Sequence, residues 1–161
     1  MTEQRARTVP VRTRVLPAWL APASLGLSGL GLLLSAYLTF EHFTQNGTLA
    51  CAENATINCQ KVTESQWSSF LGIPVALLGL LFFVAMVVLC LPSTYRRDAR
   101  ALDVARVAGC AVGLAFALYL VFAELDHVHA ICLWCTAVHV VTFVLLVTLI
   151  FGHLLAEPAD D

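Results

Sequence analysis

Residues 127–156 read HVHAICLWCTAVHVVTFVLLVTLIFGHLLA. This stretch of 30 residues contains no Asp, Glu, Lys or Arg, and it carries Cys132 and Cys135 within its first nine positions. A helix needs about 20 apolar residues to span the hydrocarbon of a bilayer. The stretch therefore predicts a transmembrane helix with a pair of thiols at its mouth.

Three further runs without acidic or basic side chains lie at residues 15–40, 65–95 and 107–123. The chain of 161 residues is 59% hydrophobic and has a mean hydropathy of +0.81, which is too apolar for a soluble domain of this length. Each run can hold one membrane span, although the third, with 17 residues, only just does. We expect an all-α membrane protein, a four-transmembrane-helix bundle, whose first helix is a retained anchor rather than a cleaved signal peptide.

The basic residues are distributed unequally among the predicted loops. Of the nine Lys and Arg residues, four precede the first run, four lie between the second and third runs, and the ninth is Lys61. By the positive-inside rule, both termini and the basic loop face the cytoplasm. We expect a multi-pass protein of the cell (plasma) membrane in which both cysteine-bearing segments face the extracytoplasmic side, where disulfides form and persist.

The predicted organisation has three parts. These are a basic cytoplasmic arm at residues 1–17, a membrane domain at residues 18–152 and an acidic cytoplasmic tail at residues 153–161. Within the membrane domain, an extracytoplasmic redox loop covers about residues 41–71 and a cytoplasmic loop covers about residues 93–106.

The extracytoplasmic loop is expected to carry a short interfacial helix. The order of polar and apolar residues over 62–70 is typical of an amphipathic segment lying in the membrane interface, with Trp67 at headgroup level. Such a helix would cover a site beneath it. Glu41 with His42, and Glu124 with Asp126, lie at membrane boundaries and are expected to be no more than solvated ends.

Cys132 and Cys135 are three residues apart, so their sulfurs share one face at the start of a helix. Unsatisfied N–H groups and the helix dipole stabilise a thiolate at that position, and a redox dithiol requires a thiolate. Two other interpretations remain open: apolar filler, or a zinc site in which His127 and His129 complete four ligands within nine residues. We favour the dithiol and expect no metal, because a zinc site leaves the second cysteine pair unexplained.

The second pair, Cys51 and Cys59, lies in the polar extracytoplasmic loop. A flexible loop can bring the two Cα atoms to disulfide distance without strain, so a purely structural bond is one possibility. A shuttle is the other, because thiol–disulfide exchange needs a thiolate to approach a disulfide sulfur and a loop beside the helix mouth permits that approach. Two dithiols on one side of a membrane indicate an electron relay.

The remaining candidates lie inside the predicted spans. His139 lies seven residues after Cys132 and four after Cys135, so it continues the cysteine face about 6 Å deeper at about 1.5 Å per residue. A polar side chain within a span indicates a functional site, with a hydrogen bond between helices as the alternative. Cys90 and Cys110, near the cytoplasmic ends of their helices, are expected to be inert packing.

Four motifs follow one another along the chain. They are Cys51, Cys59-x5-Ser65, Gly72-Ile73-Pro74-x4-Gly79 and Cys132-x-x-Cys135. Their combination, over residues 24–152, resembles the vitamin K epoxide reductase family. The segment CLWCTAVH at residues 132–139 looks most like the bacterial, particularly the actinobacterial, branch. Many bacterial members continue into a thioredoxin-like domain, whereas this chain ends ten residues after Phe151, so a redox partner on a separate chain is expected.

The resemblance implies a role for each cysteine of the two pairs. Cys132 and Cys135 would form the active-site disulfide, with Cys135 next to a quinone. Cys59 would attack Cys132 to form a bridge between loop and helix, and Cys51 would exchange with a partner thiol.

The resemblance also implies two residues that bind the quinone. Ser65 matches the hydroxyl that lines the family's quinone pocket. His139 stands where vertebrate members carry a tyrosine, and its ring N–H could donate to a quinone carbonyl instead. The asparagine of the vertebrate pocket has no clear counterpart near Pro74, which argues against epoxide reduction.

The function implied is that of a quinone-linked thiol–disulfide oxidoreductase that generates disulfides outside the cytoplasm. A separate thioredoxin-fold (DsbA-like) protein would supply electrons, and a membrane quinone of the menaquinone or ubiquinone type would accept them. Lipid, quinone and that protein are the expected partners, and nucleic acid is not expected. Reduction of vitamin K epoxide or quinone to hydroquinone is the alternative enzyme, and a zinc-binding or structural membrane protein is the alternative from another class.

Overall fold

The computed structural model describes residues 14–44, 51, 54, 56–97 and 99–158. The elements in chain order are β1 (Arg14–Val15), α1 (Leu20–Thr44), α2 (Cys59–Thr63), a 3₁₀ turn (Gln66–Ser68), β2 (Ser69–Phe70), β3 (Ile73–Pro74), α3 (Val75–Leu89), α4 (Pro92–Tyr95), α5 (Arg100–Ala123), a π turn (Glu124–Val128), α6 (Leu133–Leu154) and β4 (Glu157–Pro158). The described chain is mostly helical, as the sequence predicts for a helical membrane bundle.

Three of the described helices are long and apolar enough to cross a membrane. They are α1, α5 with its π turn and α6. The fourth apolar helix, α3, has 15 residues, or about 22 Å at a rise of about 1.5 Å per residue, whereas a hydrocarbon core is about 30 Å thick. The described part of the chain is therefore a bundle of three membrane-length helices and one shorter apolar helix.

Small residues on one face of α1 allow its close packing against α3. Ser24, Ser28, Gly31 and Ser35 recur every three or four positions and are all buried, as expected for a helix face with 3.6 residues per turn. A Cβ atom at Gly31 would overlap the ring of Phe83, so glycine is needed there. The hydroxyls of Ser24 and Ser28 each donate to the carbonyl one turn back at 2.7 Å. Both buried hydroxyls therefore have hydrogen-bond partners.

α5 extends into the cytoplasmic loop expected at about 93–106, because it begins at Arg100. Arg106 lies inside this helix and is only 1% exposed. Its Nε donates to the carbonyl of Leu89 at 2.8 Å, and its guanidinium pairs with Asp103. A charged side chain with such partners can stay within a helix, so a charge-free run underestimates the length of this one.

The loop between α1 and α3 is joined to the mouth of α6 by main-chain hydrogen bonds. Ile57 and Ile131 pair as an isolated parallel bridge. Asn58 N–H donates to the carbonyl of Ile131 at 3.1 Å, and Ile131 N–H donates to the carbonyl of Thr56 at 3.0 Å. Because this pairing holds the chain extended, α6 starts late and Cys132 is its N-cap, with φ −97° and ψ 116°.

The single interfacial helix predicted over residues 62–70 is divided into two short pieces. α2 begins before this range because the Asn58 side chain accepts the backbone N–H of Lys61 at 2.8 Å, which caps the helix. Ser65 is extended and separates α2 from the 3₁₀ turn. The antiparallel pair β2–β3 follows, with a turn in which Leu71 and Gly72 both have positive φ.

The segments before α1 and after α6 meet. β1 pairs antiparallel with β4, with Arg14 opposite Pro158 and Val15 opposite Glu157. The described ends of the predicted arm and tail therefore lie side by side, whereas residues 1–13 and 159–161 fall outside the described residues.

Candidate redox site

A cavity of about 820 Å³ lies between α1, α3, α5 and α6 and is bordered by the segment at residues 62–71. Its volume is in the range of about 300 to 1,000 Å³ that is typical of small-molecule sites. Most of its lining is apolar. The polar or ionisable side chains that reach it include His42, Ser65, Glu124, Cys135, His139 and Thr142. An apolar pocket with a few polar groups is the usual form of a cofactor or ligand site.

Cys132 and Cys135 lie in contact at the start of α6. The backbone N–H of Cys135 donates to Cys132 Sγ at 3.4 Å, and the Cys135 thiol donates to the same sulfur. This thiol–thiol hydrogen bond is the main cause that lowers the pKa of Cys132, against the opposing effect of burial. Cys132 is fully buried, whereas Cys135 reaches the cavity. The dithiol therefore favours a thiolate at Cys132 and a protonated sulfur at the cavity wall.

Cys51 and Cys59 form a disulfide, with their Cα atoms 6.2 Å apart. Cys59 is fully buried and belongs to the same apolar cluster as Cys132. Cys51 is partly exposed at the edge of this cluster. The disulfide thus connects a sulfur that a partner protein can approach with one that packs beside the dithiol, which is the arrangement that a shuttle requires.

Ser65 and His139, expected from the resemblance to bind a quinone, both line the cavity with Cys135. Ser65 Oγ donates to the carbonyl of Val62 at 2.8 Å, which fixes the side chain. The Nδ1 atom of His139 is buried and has no hydrogen-bond partner among the residues that the structure describes. A buried polar atom without a partner costs free energy, so this nitrogen is suited to a hydrogen bond with a ligand.

The expectation of solvated ends is wrong for both Glu41 and Glu124. Glu41 is 8% exposed, and Glu124 lies in the candidate site. Its side chain is 6% exposed and lines the cavity, whereas the side chain of Asp126 in the same turn is 58% exposed. The π turn, a rare widening of the helix, ends α5 at this point. A single acidic residue after an apolar run gives no sequence signal that separates a buried carboxyl from a solvated one.

The hairpin between α5 and α6 packs under the 3₁₀ turn. The rings of Trp67 and His127 stack with centroids 4.5 Å apart and planes inclined by 6°, so Trp67 contacts the hairpin. His129 Nδ1 lies 3.0 Å from a backbone carbonyl. Within the described part of the chain, no three His, Cys, Asp or Glu side chains are grouped to hold a metal ion. The zinc set of His127, His129, Cys132 and Cys135 is therefore not assembled.

Cys90 and Cys110 lie outside the site. Both are fully buried in the apolar core formed by the four apolar helices. Neither lines the cavity.

A comparison with protein families identifies the same relationship as the sequence motifs. The sequence profile described as the vitamin K epoxide reductase family matches residues 22–150. The match extends from the first turn of α1 into the last turns of α6 and includes both cysteine pairs and the cavity residues, and it confirms the resemblance.

Proposed function

We propose, from the premise that this chain belongs to the vitamin K epoxide reductase family, that it is a quinone-linked thiol–disulfide oxidoreductase generating disulfides on the extracytoplasmic side of a membrane. The position of Cys135 carries the proposal. Its thiol contacts Cys132 on one side and lines a large apolar cavity on the other. A dithiol in that place can hand electrons from a thiol relay to a membrane-soluble acceptor.

The relay runs from Cys51 to Cys135 by successive thiol–disulfide exchanges. A thiolate of a reduced thioredoxin-fold partner attacks Cys51, the partly exposed sulfur, and releases Cys59 as a thiolate. Cys59 then attacks Cys132 in the Cys132–Cys135 disulfide and releases Cys135. A second thiol of the partner then displaces Cys51 from the mixed disulfide, and the partner leaves oxidised. The freed Cys51 attacks Cys59 in the Cys59–Cys132 bridge, which restores the loop disulfide and leaves both helix thiols reduced. The shared cluster of Cys59 and Cys132 supports the middle step.

The cavity fits a lipid quinone. A quinone, when bound, takes up two electrons and two protons. The residues present would hold the ring by a hydrogen bond from His139, in the tautomer that carries its proton on Nδ1, and by contact with Ser65. Trp67, in the 3₁₀ turn, lines one side of the cavity. Cys135 presents its sulfur to the same space.

The pairing of β1 with β4 supports four membrane crossings. The segments that flank α1 and α6 lie together, and a chain returns to its starting side only after an even number of crossings. α1, α5 and α6 are each of membrane length, so α3 completes the even number as a short, fourth crossing. The eight basic residues outside the extracytoplasmic loop then lie on the cytoplasmic side.

The test of the proposal is electron transfer by the purified protein in lipid vesicles that contain menaquinone or ubiquinone. A reduced thioredoxin-fold protein should drive quinone reduction and become oxidised in equal amount. Cys135→Ala should abolish both. Quinone reduction that needs no thiol donor, or none at all with either quinone, would overturn the proposal.

Sidedness has a separate test. An impermeant thiol reagent applied to intact cells after mild reduction should label Cys51 and should fail to label a Cys51→Ser variant. Labelling that appears only after the membrane is opened would place the loop on the wrong side for a protein that forms disulfides outside the cytoplasm.

A further inference from the structure

One acidic side chain of the site takes no part in the electron relay, and it lies beside the dithiol. Glu124 is 6% exposed and lines the same cavity as Cys135. Its carboxylate faces the backbone N–H of Cys132 and is near enough to interact electrostatically with both sulfurs. A carboxyl, two thiols and an apolar ligand cavity therefore share one small volume.

The position of Glu124 is fixed by its backbone. It ends α5 and begins the π turn, and its carbonyl accepts the N–H groups of both His129 and Ala130. His129 itself adopts the left-handed conformation, with φ 52°. The chain is thus sharply turned around Glu124, which points the side chain inward, while Asp126 in the same turn remains 58% exposed.

The chemistry at Cys135 requires a proton acceptor. The Cys135 thiol donates its proton to the Cys132 sulfur, so Cys135 cannot deliver electrons as a thiolate until that proton leaves. The cavity wall around it is mostly apolar, so few side chains near Cys135 can accept the proton. A carboxylate at the cavity wall can do so.

We propose that Glu124 takes the proton from the Cys135 thiol and passes it to the oxygen of the bound lipid quinone. The inference rests on the proposed function and adds a proton path to it. In the step, the Cys135 S–H bond breaks, the Cys132–Cys135 bond forms, and the sulfur pair loses two electrons. The quinone gains both electrons and two protons and becomes the quinol. One proton is that of Cys135, relayed by Glu124, and the other comes from water, replacing the proton that Cys132 had released on becoming a thiolate.

The other ionisable groups around Glu124 are not assigned as the proton acceptor for the Cys135 thiol. Those that line the cavity with it are Cys135 and His139 from α6 and His42 from α1, and Cys132 lies beside its carboxyl. Asp126 and His127 of its own turn do not line the cavity, and their side chains are 58% and 40% exposed. The helix α3 has no ionisable residue, and Lys61 on α2 is exposed. The ring of His127 is engaged by Trp67. His139 is the proposed donor to the quinone and serves as such only while its proton stays on Nδ1.

The test compares the pH dependence of quinone reduction in wild type, Glu124→Gln and Glu124→Asp. Glu124→Gln keeps the shape and polarity of the side chain but cannot exchange a proton. General acid–base catalysis contributes about 10²- to 10⁴-fold, so we expect kcat near neutral pH to fall about 100-fold. The deficit should shrink as pH rises, because the Cys135 thiol then ionises without help. Glu124→Asp should recover part of the rate and restore the wild-type form of the profile.

Asp126→Asn, in the same turn and exposed, is the matched control and should follow the wild type at every pH. Folding of each variant is checked by thermal unfolding and by formation of the Cys132–Cys135 disulfide with a small-molecule oxidant. If Glu124→Gln does not fold, Glu124→Ala takes its place, because it also lacks a proton acceptor, and a rate and pH profile equal to wild type overturn the inference. If wild type reduces quinone and Glu124→Gln matches it at all pH values, the proton path is wrong and the proposed function stands. If wild type reduces no quinone, both the proton path and the proposed function are wrong.

Discussion

Cys59 and Cys132 are both fully buried in one apolar cluster. Cys59 lies two residues after Ile57, and Cys132 lies one residue after Ile131. Ile57 and Ile131 are paired as a parallel bridge, so main-chain hydrogen bonds hold the loop sulfur beside the helix sulfur. The segment that carries Cys59 is therefore docked onto the mouth of α6, and exchange between the two pairs needs no large movement of this part of the loop.

This docking predicts a bridge that can be trapped. In the relay, Cys59 bonds to Cys132, and Cys135 or Cys51 later breaks the bond. The double variant Cys51→Ala, Cys135→Ala lacks both resolving thiols and should accumulate a Cys59–Cys132 disulfide under mild oxidation, with less in Cys135→Ala alone. Peptide mapping without reductant detects the link. Free thiols at both positions in the oxidised double variant would show that Cys51–Cys59 is only a structural bond.

The four cysteines outside the loop disulfide should differ sharply in their effect on turnover. Cys132→Ala and Cys135→Ala each remove a sulfur through which the electrons pass and should abolish quinone reduction. Cys90→Ala and Cys110→Ala remove buried sulfur from the core and should leave the rate within about twofold while lowering the free energy of unfolding by about 1 kcal/mol. Steady-state rates and thermal unfolding of all four variants check this. Loss of turnover in a well-folded Cys90→Ala protein would contradict the assignment.

Much of the fold is predictable because insertion into a membrane requires long charge-free runs, which are visible directly in the sequence. The four apolar helices follow from charge-free runs, since the bilayer excludes charge whatever the tertiary packing. The boundaries were less predictable because they depend on partners far along the chain. α5 begins earlier than its charge-free run because Arg106 is buried against Leu89 and Asp103.

The part of the candidate site that is predictable from the sequence is the part whose reactive residues all lie in one short motif. The spacing of Cys132 and Cys135 is enough to predict a thiol pair on a helix. Glu124 was missed because its burial depends on the π turn and on the cavity, and neither leaves a periodic pattern. The docking of the loop was missed for the same reason, since the bridge between Ile57 and Ile131 joins residues 74 positions apart.

The thiolate at Cys132 gives a pH-dependent prediction. The hydrogen bond from the Cys135 thiol stabilises the charged form and lowers the pKa of Cys132. Removing the donor in Cys135→Ala should therefore raise this pKa, so that less thiolate is present at a given neutral pH. Cys135→Ser retains a donor and should preserve the low value. Thiolate absorbance, titrated in a background with the other cysteines replaced by serine, measures this. If the pKa of Cys132 is the same in Cys135→Ala and Cys135→Ser, the hydrogen bond from residue 135 does not lower it.

Arg106 should stabilise the half of the bundle that lies away from the two cysteine pairs. Its guanidinium carbon lies 3.8 Å from the centroid of the Tyr95 ring, in addition to its contacts with Leu89 and Asp103. Arg106→Met keeps a long side chain but removes a charged hydrogen bond, which is worth about 1.5 to 3 kcal/mol. We expect a loss of unfolding free energy of that size in detergent micelles, against less than about 0.5 kcal/mol for the exposed Arg100→Met. Equal stabilities of the two variants would refute this role.

His139→Phe should weaken the use of quinone without unfolding the protein. The change keeps an aromatic ring at the cavity wall but removes Nδ1, the buried nitrogen without a partner among the described residues. A neutral hydrogen bond is worth about 0.5 to 1.5 kcal/mol, and about 1.4 kcal/mol corresponds to a factor of ten, so kcat/KM for quinone should fall about tenfold or less. Since phenylalanine leaves no unpaired polar atom, thermal stability should be equal or higher. Val140→Phe, at an exposed neighbouring position on the same helix, controls for added aromatic bulk and should leave the kinetics unchanged. Steady-state kinetics with varied quinone at a fixed concentration of thiol donor measures the effect, and a kcat/KM equal to wild type would assign His139 to helix packing rather than to the quinone.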